Sequence, residues 1–209
     1  MVSEHIEARG VRNERVLNAM RQVPRHLFVP EHLRSCAYDD CPQIIGYGQS
    51  ISQPYIVALM TDLLGLTGIE KVLDVGTGSG YQAAVLSLLV DRVVSIERVA
   101  ELAETARQRL EELGYRNVTV HVGDGSLGWP DEAPYDAIVV AAGSLAIPPP
   151  LIEQLAPGGR LVIPIGDAGM QDLIRVTKNE DGTTKQESFG PVVFVPLVGQ
   201  HGWPPSRRA

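Results

Sequence analysis

Strand and helix signals alternate through the middle of this chain and predict an α/β fold: a doubly wound, mostly parallel sheet with an N-terminal helical extension and C-terminal antiparallel edge strands. Three observations carry this expectation. From Lys71 onward, short apolar runs alternate with amphipathic stretches; the first run is followed at once by a glycine-rich turn; and after residue 166 the rhythm changes to two apolar runs about a polar turn.

Each element has its own signal. Val16, Met20 and Val23 recur at helical spacing, and Pro24 stops that helix. Residues 24–30 are apolar but bracketed by prolines, which predicts a docked loop; residues 34–50 are polar and glycine-rich. Ser52-Gln53-Pro54 predicts a helix start, with Pro54 in the first turn and Ile56, Leu59, Met60, Leu63 and Leu64 on its apolar face. Strands are expected at 72–75, 92–96, 118–122, 137–140 and 160–165, and helices at 81–89, 100–113 and 150–155. Residues 173–177 and 192–197 read as a hairpin around Asn179-Glu180-Asp181-Gly182. No linker or repeat divides the chain. One domain is expected over 1–209, comprising an extension (1–50), a cofactor-binding core (51–166), and edge strands with a tail (167–209).

Composition narrows the function. Of 209 residues, 44% are apolar and 21% charged, which excludes a disordered or fibrous chain. Eighteen basic against twenty-five acidic residues give a net charge of −7, so a general nucleic-acid or anionic-membrane binder is not expected. Cys36 and Cys41 form no disulfide framework, no apolar run approaches a membrane span, and the first residues lack a signal-like apolar core. A soluble, cytoplasmic, monomeric protein is expected.

In open α/β sheets ligands bind beyond the carboxyl ends of the strands. Asp74-Val75-Gly76-Thr77-Gly78-Ser79-Gly80-Tyr81 sits at such an end. Its glycines let a ligand approach the backbone, and the next helix offers free N–H groups. The spacing is G-x-G-x-G, not the G-x-G-x-x-G of a dinucleotide loop, and Asp74 stands just before it. A carboxylate there repels a pyrophosphate and suits an ammonium group. S-adenosylmethionine has that ammonium, a carboxylate for a helix N-terminus, and no phosphate. Glu97, ending the second strand, can accept both hydroxyls of a ribose. Asp124, in Gly123-Asp124-Gly125, can accept the amino hydrogens of adenine or equally close an Asx-type turn.

Together these motifs resemble the class I S-adenosylmethionine-dependent methyltransferases. The segments Val23 to Pro30, Gly46-Tyr47-Gly48-Gln49-Ser50-Ile51-Ser52-Gln53-Pro54, Asp74 to Gln82, Val122-Gly123-Asp124-Gly125, Pro157-Gly158-Gly159-Arg160-Leu161 and Phe194-Val195-Pro196-Leu197 narrow the likeness to the protein-L-isoaspartate O-methyltransferase family, over nearly the whole chain. The resemblance implies a Rossmann-like repair enzyme that methylates the α-carboxylate of L-isoaspartyl residues in damaged proteins and peptides; the ester collapses to a succinimide whose hydrolysis returns some normal aspartate. It implies Ser52 as the catalytic residue and Asp74, Gly76, Thr77, Gly78, Glu97, Asp124 and Gly125 as cofactor contacts. It implies Ile51, Ser52 and Val195 as substrate contacts, and no metal. One stretch departs from the family's T-A-A-A-P pattern: this chain has Ala141-Ala142-Gly143-Ser144-Leu145 at the rim of the site.

The chemistry asks little of the protein. A carboxylate is ionised at neutral pH and is already a nucleophile, so alignment and exclusion of water replace a strong general base. Ser52 can orient that carboxylate; from its position alone it reads as a cap for the helix at Pro54. Cys36 and Cys41 match no usual zinc spacing and read as free thiols. His121 reads as an edge or packed histidine, Trp129 and Trp203 as packing residues, and the charged run 101–112 as a solvated helix face. The alternatives are another methyltransferase on this fold, acting on a normal aspartate in a peptide, on a small molecule such as a carboxylate, or on nucleic acid, and a non-catalytic binding module. An N-P-P-Y-like segment of base methyltransferases is absent after the fourth strand.

Overall fold

A computed structural model describes residues 1–204; residues 205–209, the end of the expected tail, lie outside the described residues. The apolar runs become β3 (Lys71–Val75), β4 (Arg92–Glu97), β5 (Val118–Val122), β6 (Tyr135–Val140) and β7 (Leu155–Gly166), joined in parallel through α3 (Tyr81–Ser87), α4 (Ala100–Glu112) and α5 (Pro149–Glu153). β8 (Gln171–Lys178) and β9 (Thr184–Val192) then add antiparallel, giving a seven-stranded sheet in the order β5-β4-β3-β6-β7-β8-β9. The chain moves outward from β3 to β5 and returns to the other side of β3 with β6. The strand order therefore reverses between β3 and β6, and such a switch point leaves a crevice beyond the strand ends.

Period-two alternation places side chains in two cores. Val72, Val93 and Val139 join the cluster under the N-terminal helices, whereas Leu73, Val94, Ile138 and Val140 join the cluster with Leu151 and Leu161. The N-terminal extension covers the first of these faces. α1 (Glu14–Gln22) is capped by the Asn13 side chain, which accepts a bond from Arg15 N, and buries Val16, Leu17, Ala19 and Met20. Arg15 donates to the carbonyls of Leu66 and Leu89, fixing α1 to the core. α2 (Pro54–Leu63) begins with Pro54 in its first turn.

Four details differ from the sequence reading. The polar stretch 34–50 holds a hairpin, β1 (Gln43–Gly46) and β2 (Gln49–Ile51). Its turn, Gly46-Tyr47-Gly48, has φ of 96°, 53° and 70°, and this left-handed run is what the two glycines permit. Val2–Ile6 forms a wide helical turn that buries Ile6. In α2 the core takes Val57, Ala58, Met60 and Leu63, while Ile56 and Leu59, expected in the core, are only partly covered. The last strand is Thr184–Val192, not 192–197. Once the turn at Asn179–Gly182 pairs Lys178 with Thr184, the register is fixed, and the polar residues Lys185, Gln186 and Glu187 are tolerated because β9 is an edge. Pro196 interrupts the apolar run that follows Val192, and that run leaves the sheet.

Arg25, in the proline-bracketed segment, has no exposed surface. Its Nε donates to Ala37 O and a terminal nitrogen donates to Ser52 O, both at 2.8 Å, and the guanidinium lies 4.8 Å from the centre of the Tyr81 ring. Its second terminal nitrogen has no partner. Replacing Arg25 with Met strands two buried carbonyls, each at about 1–3 kcal/mol. We expect Arg25→Met to lose roughly 2–5 kcal/mol of unfolding free energy. A denaturant melt matching wild type would show that these bonds contribute nothing net.

Candidate active site

A cavity opens at the switch point, above the carboxyl ends of β3, β4 and β6. Its wall includes Gly76, Thr77, Gly78 and Ser79 from the loop after β3, Glu97 and Arg98 from the end of β4, Gly125, Ala141 and Ala142. The loop turns sharply through positive φ at Gly76 (96°), Gly78 (52°) and Gly80 (91°). It is fixed to the neighbouring strand by Gly76 N and Thr77 N, which both donate to Ile96 O. The β1–β2 hairpin covers it from the other side, with Ile45 Cδ1 3.3 Å from where a side chain on Gly78 would begin. Gln49, Ser50, Ile51 and Ser52 complete that side of the cavity.

The three acids expected at successive strand ends have different environments. Glu97 lies on the cavity wall, nearly buried; one carboxylate oxygen accepts from Gly78 N and the other from Val99 N, each at 2.9 Å. Each oxygen keeps a further acceptor site, enough for a vicinal diol. Asp74 is fully buried beneath the loop and is not part of the wall. Its Oδ2 accepts from Ser95 Oγ at 2.7 Å, Ser95 Oγ lies 2.6 Å from Thr77 Oγ1, and its Oδ1 has no partner. Burial, with Glu97 nearby, raises its pKa to about 7 against the pull of the Ser95 bond. A fully buried carboxylate with one free oxygen suits a cationic ligand above the loop. Arg98 is the one cation among the described residues of the wall, so nothing there resembles a pyrophosphate clamp. Asp124 closes a turn: Oδ1 accepts from Ser126 N and Ser126 Oγ, and Oδ2 accepts from Gln200 N. It lies outside the wall, which Gly125 reaches.

Ser52 is not the helix cap that its position suggested. Gln53 occupies the capping position of α2 without a side-chain bond, and the Ser52 carbonyl goes to Arg25. Ser52 itself lines the mouth of the cavity, beside Ile51 and opposite the crossing segment that carries Val195. That segment is held by backbone pairing: Gly143 N donates to Val195 O at 2.8 Å and Leu197 N to Gly143 O at 2.7 Å. Gln171 Oε1 accepts from Phe194 N at 2.8 Å, and Gln171 Nε2 donates to Asp167 O. A side chain at 143 would start 2.9 Å from Gln171 Cδ, so the glycine in this atypical stretch makes room for that amide. Arg25 and Gln171 are therefore site-shaping residues that motif reading missed. A lone arginine in an apolar, proline-bracketed run was a signal for the first; nothing in the sequence marked the second. The bland readings hold for the rest. His121 stacks on Trp129 at 4.1 Å, Trp203 Nε1 donates to Gly143 O, and both cysteines are free. No cluster of metal-ligating side chains is present among the described residues.

The buried acid sets a pH dependence. Asp74 holds its proton up to about pH 7 when folded, but ionises near pH 4 in the unfolded chain. Between those values the folded state binds more protons, so stability falls as pH rises through the window. The ligand-free protein is expected to be less stable at pH 8 than at pH 5 by an Asp74 component of roughly 2.5 kcal/mol. Asp74→Asn removes that component, and denaturant melts of both proteins across the range measure it; parallel profiles would place the Asp74 pKa near its ordinary value.

The family description "Protein-L-isoaspartate(D-aspartate) O-methyltransferase (PCMT)" matches residues 1–202. The protein-L-isoaspartate O-methyltransferase of Syntrophus aciditrophicus is 57% identical over 205 residues, covering 97% of this chain and 94% of the relative. That of Methanoculleus marisnigri is 55% identical over 203 residues, covering 97% and 92%. Among solved structures, a protein-L-isoaspartate O-methyltransferase superposes with a TM-score of 0.84 at 30% identity, covering 94% of this chain, which spans 64% of that protein. A Plasmodium falciparum protein described under the same activity, solved in complex with S-adenosyl-L-homocysteine, gives a TM-score of 0.81 at 27% identity, covering 94% and 96%. With its switch-point cavity, its glycine loop and a match over nearly its whole length, the chain belongs to the protein-L-isoaspartate(D-aspartate) O-methyltransferase family.

Proposed function

We infer that this protein transfers a methyl group from S-adenosylmethionine to the α-carboxylate of L-isoaspartyl residues in damaged proteins and peptides. The observation that carries this reading is the family match over residues 1–202, and the cavity accords with it in having a wall acid with acceptor sites to spare, a buried carboxyl with one unpartnered oxygen and no phosphate clamp. Bound S-adenosylmethionine supplies a methyl group already activated on a sulfonium. Glu97 accepts the ribose hydroxyls with the acceptor sites that Gly78 N and Val99 N leave free. Asp74 acts from beneath the loop by its field on the ligand's positive charge, and Gly76, Thr77 and Gly78 let the ligand lie against the backbone. Asp124 and Gly125 border the adenine end, Asp124 by shaping the turn and Gly125 by contact.

The acceptor carboxylate is ionised near neutral pH and needs no base. It attacks once aligned with the methyl group and shielded from water. Ser52 offers a hydroxyl at the mouth of the cavity, free of any capping duty, to orient that carboxylate. Ile51 and Val195 flank it and exclude water. Mass spectrometry of paired aspartyl and isoaspartyl peptides, incubated with protein and S-adenosylmethionine, tests the reading. Addition of one methyl group to the isoaspartyl peptide alone is expected. Equal methylation of both, or of neither, overturns it.

Two substitutions separate the roles. Ser52→Ala should slow single-turnover transfer about ten- to hundredfold, as one well-placed hydrogen bond implies, with cofactor affinity and melting temperature close to wild type. A wild-type rate would remove Ser52 from the reaction. Glu97→Ala should weaken S-adenosylmethionine binding by about 1.5–3 kcal/mol in calorimetry. Unchanged affinity would reject the ribose assignment.

A further inference from the structure

Asp74 and Ser95 are in-register partners on β3 and β4, and both are fully buried. Their side chains project from the same face of the sheet. The next partners on either side are Val139 on β6 and Val120 on β5, both in the apolar cluster under the N-terminal helices. An acid in this place has neither water nor a cation. Glu97 is the one charged group among the described residues that acts on it, and its charge has the same sign. What reaches Asp74 is a chain of two hydroxyls: Ser95 Oγ lies 2.7 Å from Asp74 Oδ2 and 2.6 Å from Thr77 Oγ1. Thr77, on the glycine loop, is the member of this chain that lines the cavity. The direction of the chain follows the charge of the acid. With Asp74 ionised, Ser95 donates to it and Thr77 donates to Ser95, so both hydroxyl hydrogens point inward. With a proton on Oδ2, Asp74 donates to Ser95, Ser95 donates to Thr77, and the Thr77 hydrogen is left over. A proton on Oδ1 would find no acceptor.

We propose that Ser95 is a positioning residue that couples the loop to the charge of its ligand: a cationic cofactor above the loop drives the Asp74 proton out along Ser95 and Thr77, reversing both hydroxyls. This rests on the reading of the cavity as the S-adenosylmethionine site. Asp74 gives its hydrogen to Ser95, Ser95 gives its own to Thr77, and Thr77 gives its own to solvent. The electron pair of the broken Asp74 O–H bond stays on the carboxylate, which then faces a positive charge. Burial raises the Asp74 pKa to about 7, so near neutrality the ligand-free protein holds a proton to release. The Ser95 bond favours the ionised form, and without it the proton is harder to expel. Ser95 thus acts on cofactor binding without lining the cavity.

Calorimetry of S-adenosylmethionine binding, with no peptide present and in buffers of different ionisation enthalpy, counts the protons released per cofactor bound. Asp74→Asn supplies the baseline for the ligand's own amino group. Wild type is expected to exceed that baseline by about half a proton at pH 7, with the excess vanishing by pH 9. Infrared difference spectra of wild type give a measurement that needs no variant: the carbonyl band of a protonated carboxyl should disappear on binding at pH 7. Ser95→Ala should raise the midpoint of the proton release by about one pH unit. Its affinity for S-adenosylmethionine should then be about fivefold below wild type at pH 7 and within about twofold of it at pH 9. A merely structural role would weaken binding equally at both. Thr77→Val, which takes from Ser95 its donor, is the second variant, with a loss at pH 7 that likewise recovers at pH 9. A proton count equal to that of Asp74→Asn, a carboxyl band unchanged on binding, or a Ser95→Ala loss independent of pH overturns the proposal and leaves the methyl-transfer reading standing. If S-adenosylmethionine does not bind wild type at all, that reading fails and the proposal falls with it.

Discussion

A guanidinium with no exposed surface joins three parts of this fold that the chain keeps apart. Arg25 comes from the N-terminal extension, takes the carbonyl of Ala37 within it, bonds the carbonyl of Ser52 at the entrance to α2, and faces the ring of Tyr81 at the start of α3. Burial lowers the pKa of the arginine, whose guanidinium nonetheless keeps its charge in proteins, and pushes that of Tyr81 up to about 12, so the phenol is neutral at physiological pH. A buried charge satisfied mainly by backbone carbonyls tolerates little displacement of its partners. The position of Ser52 relative to the glycine loop is therefore set from the far side, by a residue outside the cavity wall.

A second constraint acts at the strand ends. Two carboxylates from adjacent strands, Asp74 and Glu97, meet under and beside one glycine loop, and no basic side chain neutralises them directly. Glu97 accepts from two backbone N–H groups, one of which belongs to the loop itself, so the bonds that hold the carboxylate also shape the turn. Asp74 has one neutral donor and a free oxygen, and its burial favours the protonated form. A positively charged ligand relieves this frustration, whereas a polyphosphate would deepen it.

The C-terminal part completes the site by leaving the sheet. β9 ends at Val192, and the next residues cross the ends of the strands, where Gly143 pairs with Val195 and Leu197 and Gln171 holds Phe194. The tail then returns to Asp124 through Gln200 N. One segment thereby ties the mouth of the cavity to the turn at the end of β5.

The sequence alone determined the doubly wound order, the five parallel strands to within a few residues at most ends, the glycine loop and the acids at the strand ends, because these depend on local periodicity, turn chemistry and strand alternation. It also determined the family, through the segment from Gly46 to Pro54. The tertiary structure decided which acids face the cavity: Glu97 does, Asp74 lies beneath the loop, and Asp124 is engaged in a turn. It decided that Ser52 is no cap, since Gln53 holds that position while Arg25, twenty-seven residues away, takes the Ser52 carbonyl. It placed a hairpin in the polar stretch before α2 and moved the last strand back to Thr184. These outcomes depend on contacts between residues distant in sequence, and on a register fixed by a turn rather than by the apolar pattern; neither is encoded in the spacing of one segment.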